Sequence, residues 1–244
     1  MPKAIFQTIY QDLKIKIEEQ QYPFQQLLPS ENALVEHYHC SRNTIRRAIS
    51  MLAEEGYVQS MHGIGVRVIY QPVRQTSFTI GGIESFQESA CRNGLTASTR
   101  VVQFTELVSD EHIAEKTGFP IGSELYYIQR VRYLNGKALI FDINMFLKAC
   151  VPGLTPEIAA HSIYDYIENT LGMTIVTSKR IMTVERITQA DEKYLDLNDF
   201  NCMAVVSGHT YNADGLMFEY TQSRHRPDFF CFQDTATRKQ GYPK

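Results

Sequence analysis

The sequence has no tryptophan, no cysteine pair at redox or metal spacing, and no excess of positive charge. Each absence removes a class of protein. The five cysteines (Cys40, Cys91, Cys150, Cys202 and Cys231) are odd in number, widely scattered and without a C-x-x-C. They form neither a disulfide framework nor a zinc site, and reduced, partly buried thiols are expected. No apolar run is long enough to span a bilayer and no charged-then-apolar leader opens the chain, so a cytoplasmic protein with no membrane partner is expected. The net charge of −3 excludes a chain that grips nucleic acid through its overall field. Residues 1–70 hold seven Lys/Arg against seven Asp/Glu, so any DNA affinity must come from a local cluster. Neither G-x-S-x-G nor H-E-x-x-H occurs, and His37 and His39, two apart on a helix, point their rings apart, a poor metal site. No catalytic residue, metal or cofactor is expected. With 244 residues, 43% of them hydrophobic, there is room for two modest domains or one large one.

What is present begins with helical periodicity. Phe6, Ile9, Tyr10, Leu13 and Ile17 predict an amphipathic helix near 3–20. After Tyr22-Pro23, Ser30 can cap a second helix that Pro29 bars from starting earlier, with Leu34 and Val35 inward. His39-Cys40 makes a short turn. Ser41 then caps a third helix over 41–54, whose Ile45, Ala48, Ile49 and Leu52 form one apolar stripe. Arg42, Asn43, Arg46 and Arg47 fall on its other side. Arg42 and Arg46 are four apart, with no acid of the same helix beside them and Thr44 near the helix start. Such forked guanidiniums suit phosphates and guanine edges, although a solvated basic face has the same pattern. Past Gly56 the period changes to that of a hairpin, 57–69, with a glycine-rich tip at His62-Gly63-Ile64-Gly65 and Arg67 beside it. A helix-turn-helix followed by a wing is the expectation.

These residues carry a resemblance. Leu-Pro-Ser-Glu (28–31), Ser-Arg-x-Thr-Ile-Arg-x-Ala (41–48), Leu-x-x-x-Gly-Tyr (52–57) and the G-x-G tip resemble the winged helix-turn-helix of the GntR family. The resemblance implies operator contacts from Arg42, Thr44, Arg46 and Gly63, flanked by Ser41, Asn43 and His62. The wing departs from the family pattern, with Ile64 where Lys is frequent and Val66 where Thr is usual.

Residues 71–77 read as a polar linker between a DNA-binding domain (1–70) and a second domain (78–238). In the second, alternating stretches at 95–107, 124–134, 137–147, 174–188, 203–212 and 216–226 predict strands. Helical pieces fall near 84–93, 110–117, 155–171 and 189–196. Without regular βαβ alternation the fold class is α+β, on a mostly antiparallel sheet. Asn135-Gly136 predicts a two-residue hairpin, which pairs Asp142 with Gln129 and turns it away from Arg130 unless a bulge intervenes. Arg130 and Arg132 share a strand face, either wet or paired by an anion such as phosphate. Glu219, Thr221, Ser223 and His225 share another, either a wet face or a pocket wall. Ser162 and Tyr164 offer hydroxyls to a ligand, or serve as cap and core.

Gly-x-x-Ser-Phe (82–86), Arg-x-Arg (130–132), Ser-Ile-Tyr-Asp-Tyr-Ile-Glu (162–168) and Phe-Glu-Tyr-Thr-x-Ser-Arg-His-Arg-x-Asp (218–228) resemble the UTRA domain of the HutC branch of GntR regulators. That domain has a chorismate-lyase-like fold and serves as a small-molecule receptor. The resemblance implies a pocket lined by Ser85, Phe86, Arg130, Arg132, Ser162, Tyr164, Glu219 and His225, with Asp142 matching a further ligand contact. His225 stands where many UTRA relatives carry Tyr. Within the branch, residues 218–226 are similar to the trehalose operon repressors, whose inducer is trehalose 6-phosphate. The implied protein is a homodimeric repressor on double-stranded operator DNA, released by a sugar-phosphate effector. A regulator of another sugar or amino-sugar operon is the alternative, and a lyase-like enzyme a remote one.

Overall fold

The computed structural model describes residues 5–71, 79–80 and 82–232. Apart from Gln71, the linker at 71–77 lies outside them. The chain divides into two compact units, the described part of the first ending at Gln71 and that of the second beginning at Thr79.

The first unit contains α1 (Ile5–Glu18), α2 (Glu31–Tyr38), α3 (Arg42–Glu54) and the antiparallel pair β1 (Val58–Met61) and β2 (Gly65–Val68). Ser30 caps α2 through the Ala33 amide, and His39 ends it in the left-handed region at φ 48°. His39 is thus outside the helix that the His-x-His spacing assumed. The apolar stripe of α3 packs on Ile9, Leu13 and Ile17 of α1 and Leu34 of α2, with Val58 and Val68 closing the core. Burying each of the large aliphatic side chains there stabilises the unit by roughly 1.5–3 kcal/mol. Polar bonds set the helices in place: Tyr57 donates to Glu18 at 2.6 Å, and Tyr38 donates to Asp12. The segment before α2 lies along β2, with Leu28 N–H donating to Val66 O at 2.8 Å.

The second unit runs β3 (Thr79–Ile80), α4 (Phe86–Arg92), β4 (Ala97–Val108), α5 (Glu111–Thr117), β5 (Glu124–Leu134), β6 (Lys137–Leu147), α6 (Pro156–Ala159), α7 (Ile163–Asp165), β7 (Ile175–Arg186), α8 (Gln189–Tyr194), β8 (Cys202–Asn212), β9 (Met217–His225) and β10 (Cys231–Phe232). Six strands form one antiparallel sheet in the order β4-β5-β6-β9-β8-β7, while β3 and β10 pair in parallel. The helical stretch expected at 155–171 is three pieces: α6, α7 and a π-helical turn at Tyr166–Thr170. Thr155 and Ser162 each start a new helix by accepting a backbone N–H.

Alternation divides the sheet. On one face Tyr126, Ile128 and Phe146 pack with Ala159 of α6 and Ile163 of α7; on the other Val131, Phe141 and Val205 pack under α8. There Arg224, which the strand pattern places opposite Ser223 and His225, is held by both carboxylate oxygens of Asp191 and by Glu185.

The β5–β6 hairpin corrects the expected register. Asn135 and Gly136 both have positive φ (49° and 78°), as a two-residue primed turn requires. Leu134 pairs with Lys137 and Tyr133 with Ala138, but Arg132 pairs with Ile140, leaving Leu139 as an extra residue. This bulge moves Asp142 opposite Arg130 rather than Gln129. It is pinned by its surroundings: Leu139 is fully buried beside Ala90 of α4, and its carbonyl accepts the Arg226 N–H at 3.0 Å.

Candidate effector cavity and DNA-reading helix

In the first unit the start of α3 is built by Ser41, whose Oγ accepts the Thr44 N–H at 3.2 Å and lies 2.9 Å from Thr44 Oγ1. Arg42 and Asn43 are exposed on the first turn. Arg46 is exposed as well, but its Nε donates to Glu31 Oε2 at 2.9 Å. That acid comes from α2 and is invisible to any reading of α3 alone. Arg47 lies over the Phe6 ring, 3.8 Å from its centroid, so it serves the helix packing. At the wing tip His62 and Gly63 are exposed; Gly63 has φ 73° and open space where a Cβ would stand. Arg67 does not extend the wing: its Nη1 donates to the Gln25 carbonyl at 2.7 Å.

The second unit encloses a cavity of about 680 Å³ on the face of the sheet beneath α4, α6 and α7. All nine sequence-predicted effector residues line it: Ser85 and Phe86 from the start of α4, Arg130 and Arg132 from β5, Asp142 from β6, Ser162 and Tyr164 around α7, and Glu219 and His225 from β9. The wet-face alternative for β5 is excluded, since Arg130 and Arg132 are only 4% and 6% exposed. Ser162 is both cap and lining, as is Ser85, which forms a capping box with Glu88.

The two arginines are held differently. Arg132 donates through Nε to Asp142 Oδ2 at 2.7 Å and through Nη1 to Thr99 Oγ1 at 2.7 Å, and its guanidinium lies 4.9 Å from the centre of the Phe86 ring. Arg130 donates to Asn144 Oδ1 at 2.8 Å and to the Ala159 carbonyl at 3.3 Å, and its buried Nε has no hydrogen-bond partner among the described residues. Burial first, and then the charge of Arg132, lower its pKa to about 9. It remains a cation at neutral pH and lines the cavity; the charges of Asp142 and Glu219 favour it, but it forms no salt bridge among the described residues. Burial raises Asp142, but Arg132 and Arg130 more than offset this and hold it below the usual carboxylate range. Glu219 is raised by burial, against the hydroxyls of Tyr164 and Thr210 and the charge of Arg130. Tyr164 donates to it at 2.6 Å and Asn144 at 3.2 Å. Burial lowers His225 to about 4, keeping the imidazole neutral.

Sequence reasoning did not single out Thr99, Asn144 and Arg180, which also line the cavity. Asn144 was within reach, two residues along β6 from Asp142. Thr99 pairs with Arg132 and Arg180 with Gly208, so only strand register reveals them.

Comparison with known proteins decides the family. Residues 6–68 match the bacterial regulatory proteins of the gntR family, and residues 92–230 match the UTRA domain. The chain is also 36% identical to the HTH-type transcriptional regulator TreR of Bacillus subtilis (strain 168), over 96% of this chain and 97% of that protein. The chain belongs to the GntR family. Its winged helix followed by a UTRA domain is the HutC-type arrangement, and it is a DNA-binding transcription regulator. As a GntR regulator it resembles the effector-binding domain of the B. subtilis trehalose repressor, with 34% identity and a TM-score of 0.53 over 59% of this chain and 99% of that one. It shares its fold with the possible transcriptional regulator YydK of B. subtilis subsp. subtilis str. 168, with a TM-score of 0.79, 24% identity and coverage of 96% and 100%.

Proposed function

We propose that this GntR regulator is a homodimeric repressor of a trehalose-utilisation operon, released from its operator by trehalose 6-phosphate. The observation that carries the effector class is Arg130. A cation buried beside Arg132, whose Nε–H is unused and which forms no salt bridge among the described residues, is stabilised by an anion arriving in the cavity. Phosphate supplies that anion, and the hydroxyls of a sugar suit Glu219, Tyr164, Asn144 and Ser162 around it. Trehalose as the sugar rests on the likeness to TreR.

On DNA, a homodimer sets two copies of α3 in successive major grooves about 34–36 Å apart, on a near-palindromic site. Arg42, Thr44 and Arg46, flanked by Ser41 and Asn43, reach base edges and phosphates, and His62 and Gly63 meet the backbone alongside. The effector acts by favouring a dimer arrangement in which the wings no longer match the half-sites.

The test begins with selection of a site from random duplexes, followed by mobility shifts with trehalose, trehalose 6-phosphate and other sugar phosphates. Trehalose 6-phosphate is expected to release the wild-type chain, and Arg130→Ala to hold the same site while needing at least about tenfold more effector, as for loss of a hydrogen bond to a charged group. A normal response from Arg130→Ala rules out the phosphate assignment.

A further inference from the structure

Arg180 stands at the far side of the same cavity. It lies on β7, the outer strand of the sheet, separated from Arg130 and Arg132 by β6, β9 and β8. Measured along the sheet this is about 19 Å, four strand spacings. One transverse row of residues joins the two sides: Asn144 pairs with Thr221, Thr221 with Gly208, and Gly208 with Arg180. Its near end is bonded to Arg130 through Asn144, which also donates to Thr221 Oγ1 at 2.9 Å.

Gly208 is the gap in that row. Its backbone is not in the left-handed region, so conformational freedom does not explain the glycine. A Cβ there would stand 3.2 Å from the Lys179 carbonyl oxygen, 3.3 Å from Arg180 Cγ and 3.6 Å from Thr221 Cγ2, so the glycine makes room for the neighbouring backbone as well as for the arginine stem. The missing side chain gives the stem of Arg180 its path across β8 toward the cavity. Arg180 Nη1 reaches the Gly82 carbonyl, at a long 3.3 Å. Gly82 begins the wall segment that ends at Phe86, whose ring lies against Arg132. Two arginines on opposite sides of the cavity are therefore linked by one strip of floor and one strip of wall.

We infer that Arg180 is a specificity-determining residue that reads the sugar ring farthest from the phosphate, selecting a disaccharide phosphate over a hexose phosphate. This rests on the reading of the cavity as a sugar-phosphate site. A ligand whose anion sits at Arg130 and Arg132 meets Arg180 only with groups that lie beyond Thr221 and Gly208. A second pyranose ring supplies hydroxyls there; a single ring does not extend so far. The forked donors of a guanidinium suit neighbouring hydroxyls.

Calorimetric titration of the full chain with trehalose 6-phosphate, and with glucose 6-phosphate by displacement, tests this. Arg180→Ala is expected to weaken trehalose 6-phosphate by at least about tenfold while glucose 6-phosphate stays within about twofold. Gly208→Ala, which crowds both the Lys179 carbonyl and the Arg180 stem while keeping the guanidinium, is expected to weaken trehalose 6-phosphate and leave glucose 6-phosphate within about twofold. Arg130→Ala is expected to lose both ligands. Equal losses for both ligands in Arg180→Ala would mean that Arg180 only pins Gly82, and unchanged binding would mean that it does nothing for the ligand; either overturns the inference while the Arg130 result still supports the site. A wild-type chain that binds neither sugar phosphate overturns the functional reading and this inference together.

Discussion

Each unit presents two arginines on one face, and solvent treats the two pairs in opposite ways. On α3 they are four residues apart, and the Arg46 side chain is 66% exposed and already bonded to Glu31. On β5 they are two apart, and Arg130 is 4% exposed. In water a unit charge 4 Å from its partner interacts by only about 1 kcal/mol; at an effective dielectric of 20 this becomes about 4 kcal/mol. The helix pair therefore costs little to keep exposed, and the duplex contact proposed for it would draw on released counterions and so be salt-dependent. The strand pair costs desolvation at all times, so its partners must be positioned in advance. Arg132 has Asp142; Arg130 has amide and carbonyl oxygens but no counter-ion among the described residues.

The sharpest way to break this contrast is to remove the internal partner. Asp142→Ala leaves Arg132 buried without its carboxylate and is expected to destabilise the second unit by about 3–5 kcal/mol in urea unfolding. Its exposed counterpart, Glu31→Gln, is expected to cost no more than about 1 kcal/mol. Equal effects would show that burial does not separate the two pairs.

Protonation gives the next effect. Folded His225 gains a proton only near pH 4, whereas in the unfolded chain it does so near 6.5. Between those values the unfolded state binds more protons, so the contribution of His225 to stability falls as pH is lowered from 6.5 to 4 and levels off below. The full change is on the order of 3 kcal/mol. Wild type and His225→Gln, unfolded in parallel at pH 7 and pH 4.5, are expected to converge as the pH falls; a constant difference removes His225 from the buried charge balance.

On the exposed pair itself the expected effect is on binding rather than on folding. Arg42→Ala or Arg46→Ala is expected to cost about 1–3 kcal/mol of operator binding, and a change at a phosphate contact lowers the salt slope by about 1. Titration at several salt concentrations reads both quantities. Affinity and slope unchanged in both variants would return α3 to a solvated basic face.

Much of this was legible in the chain. The six long strands of the second unit and the three helices of the first follow from period and caps, because alternation and the helical stripe are local consequences of which face meets the core. Arg130 with Arg132, and Glu219 with His225, share faces for the same reason. Asp142 was misplaced because a two-residue turn fixes register only while the ladder is regular, and the bulge at Leu139 answers to packing under α4. The helical stretch expected near 155–171 is divided because Ser162 restarts the chain, the cap role weighed for it from sequence. The cysteines, too, are not uniformly sheltered: Cys91 is exposed.

By itself the sequence determined the elements, the faces they bury and the family, since these depend on neighbours within a few residues or on spaced motifs. Tertiary structure alone decided which charges meet. Glu31 reaches Arg46 across a helix packing, Asp142 reaches Arg132 through a bulge, and Arg180 reaches the cavity over a glycine two strands from Asn144. Those distances are set by register and packing density, which no local pattern encodes.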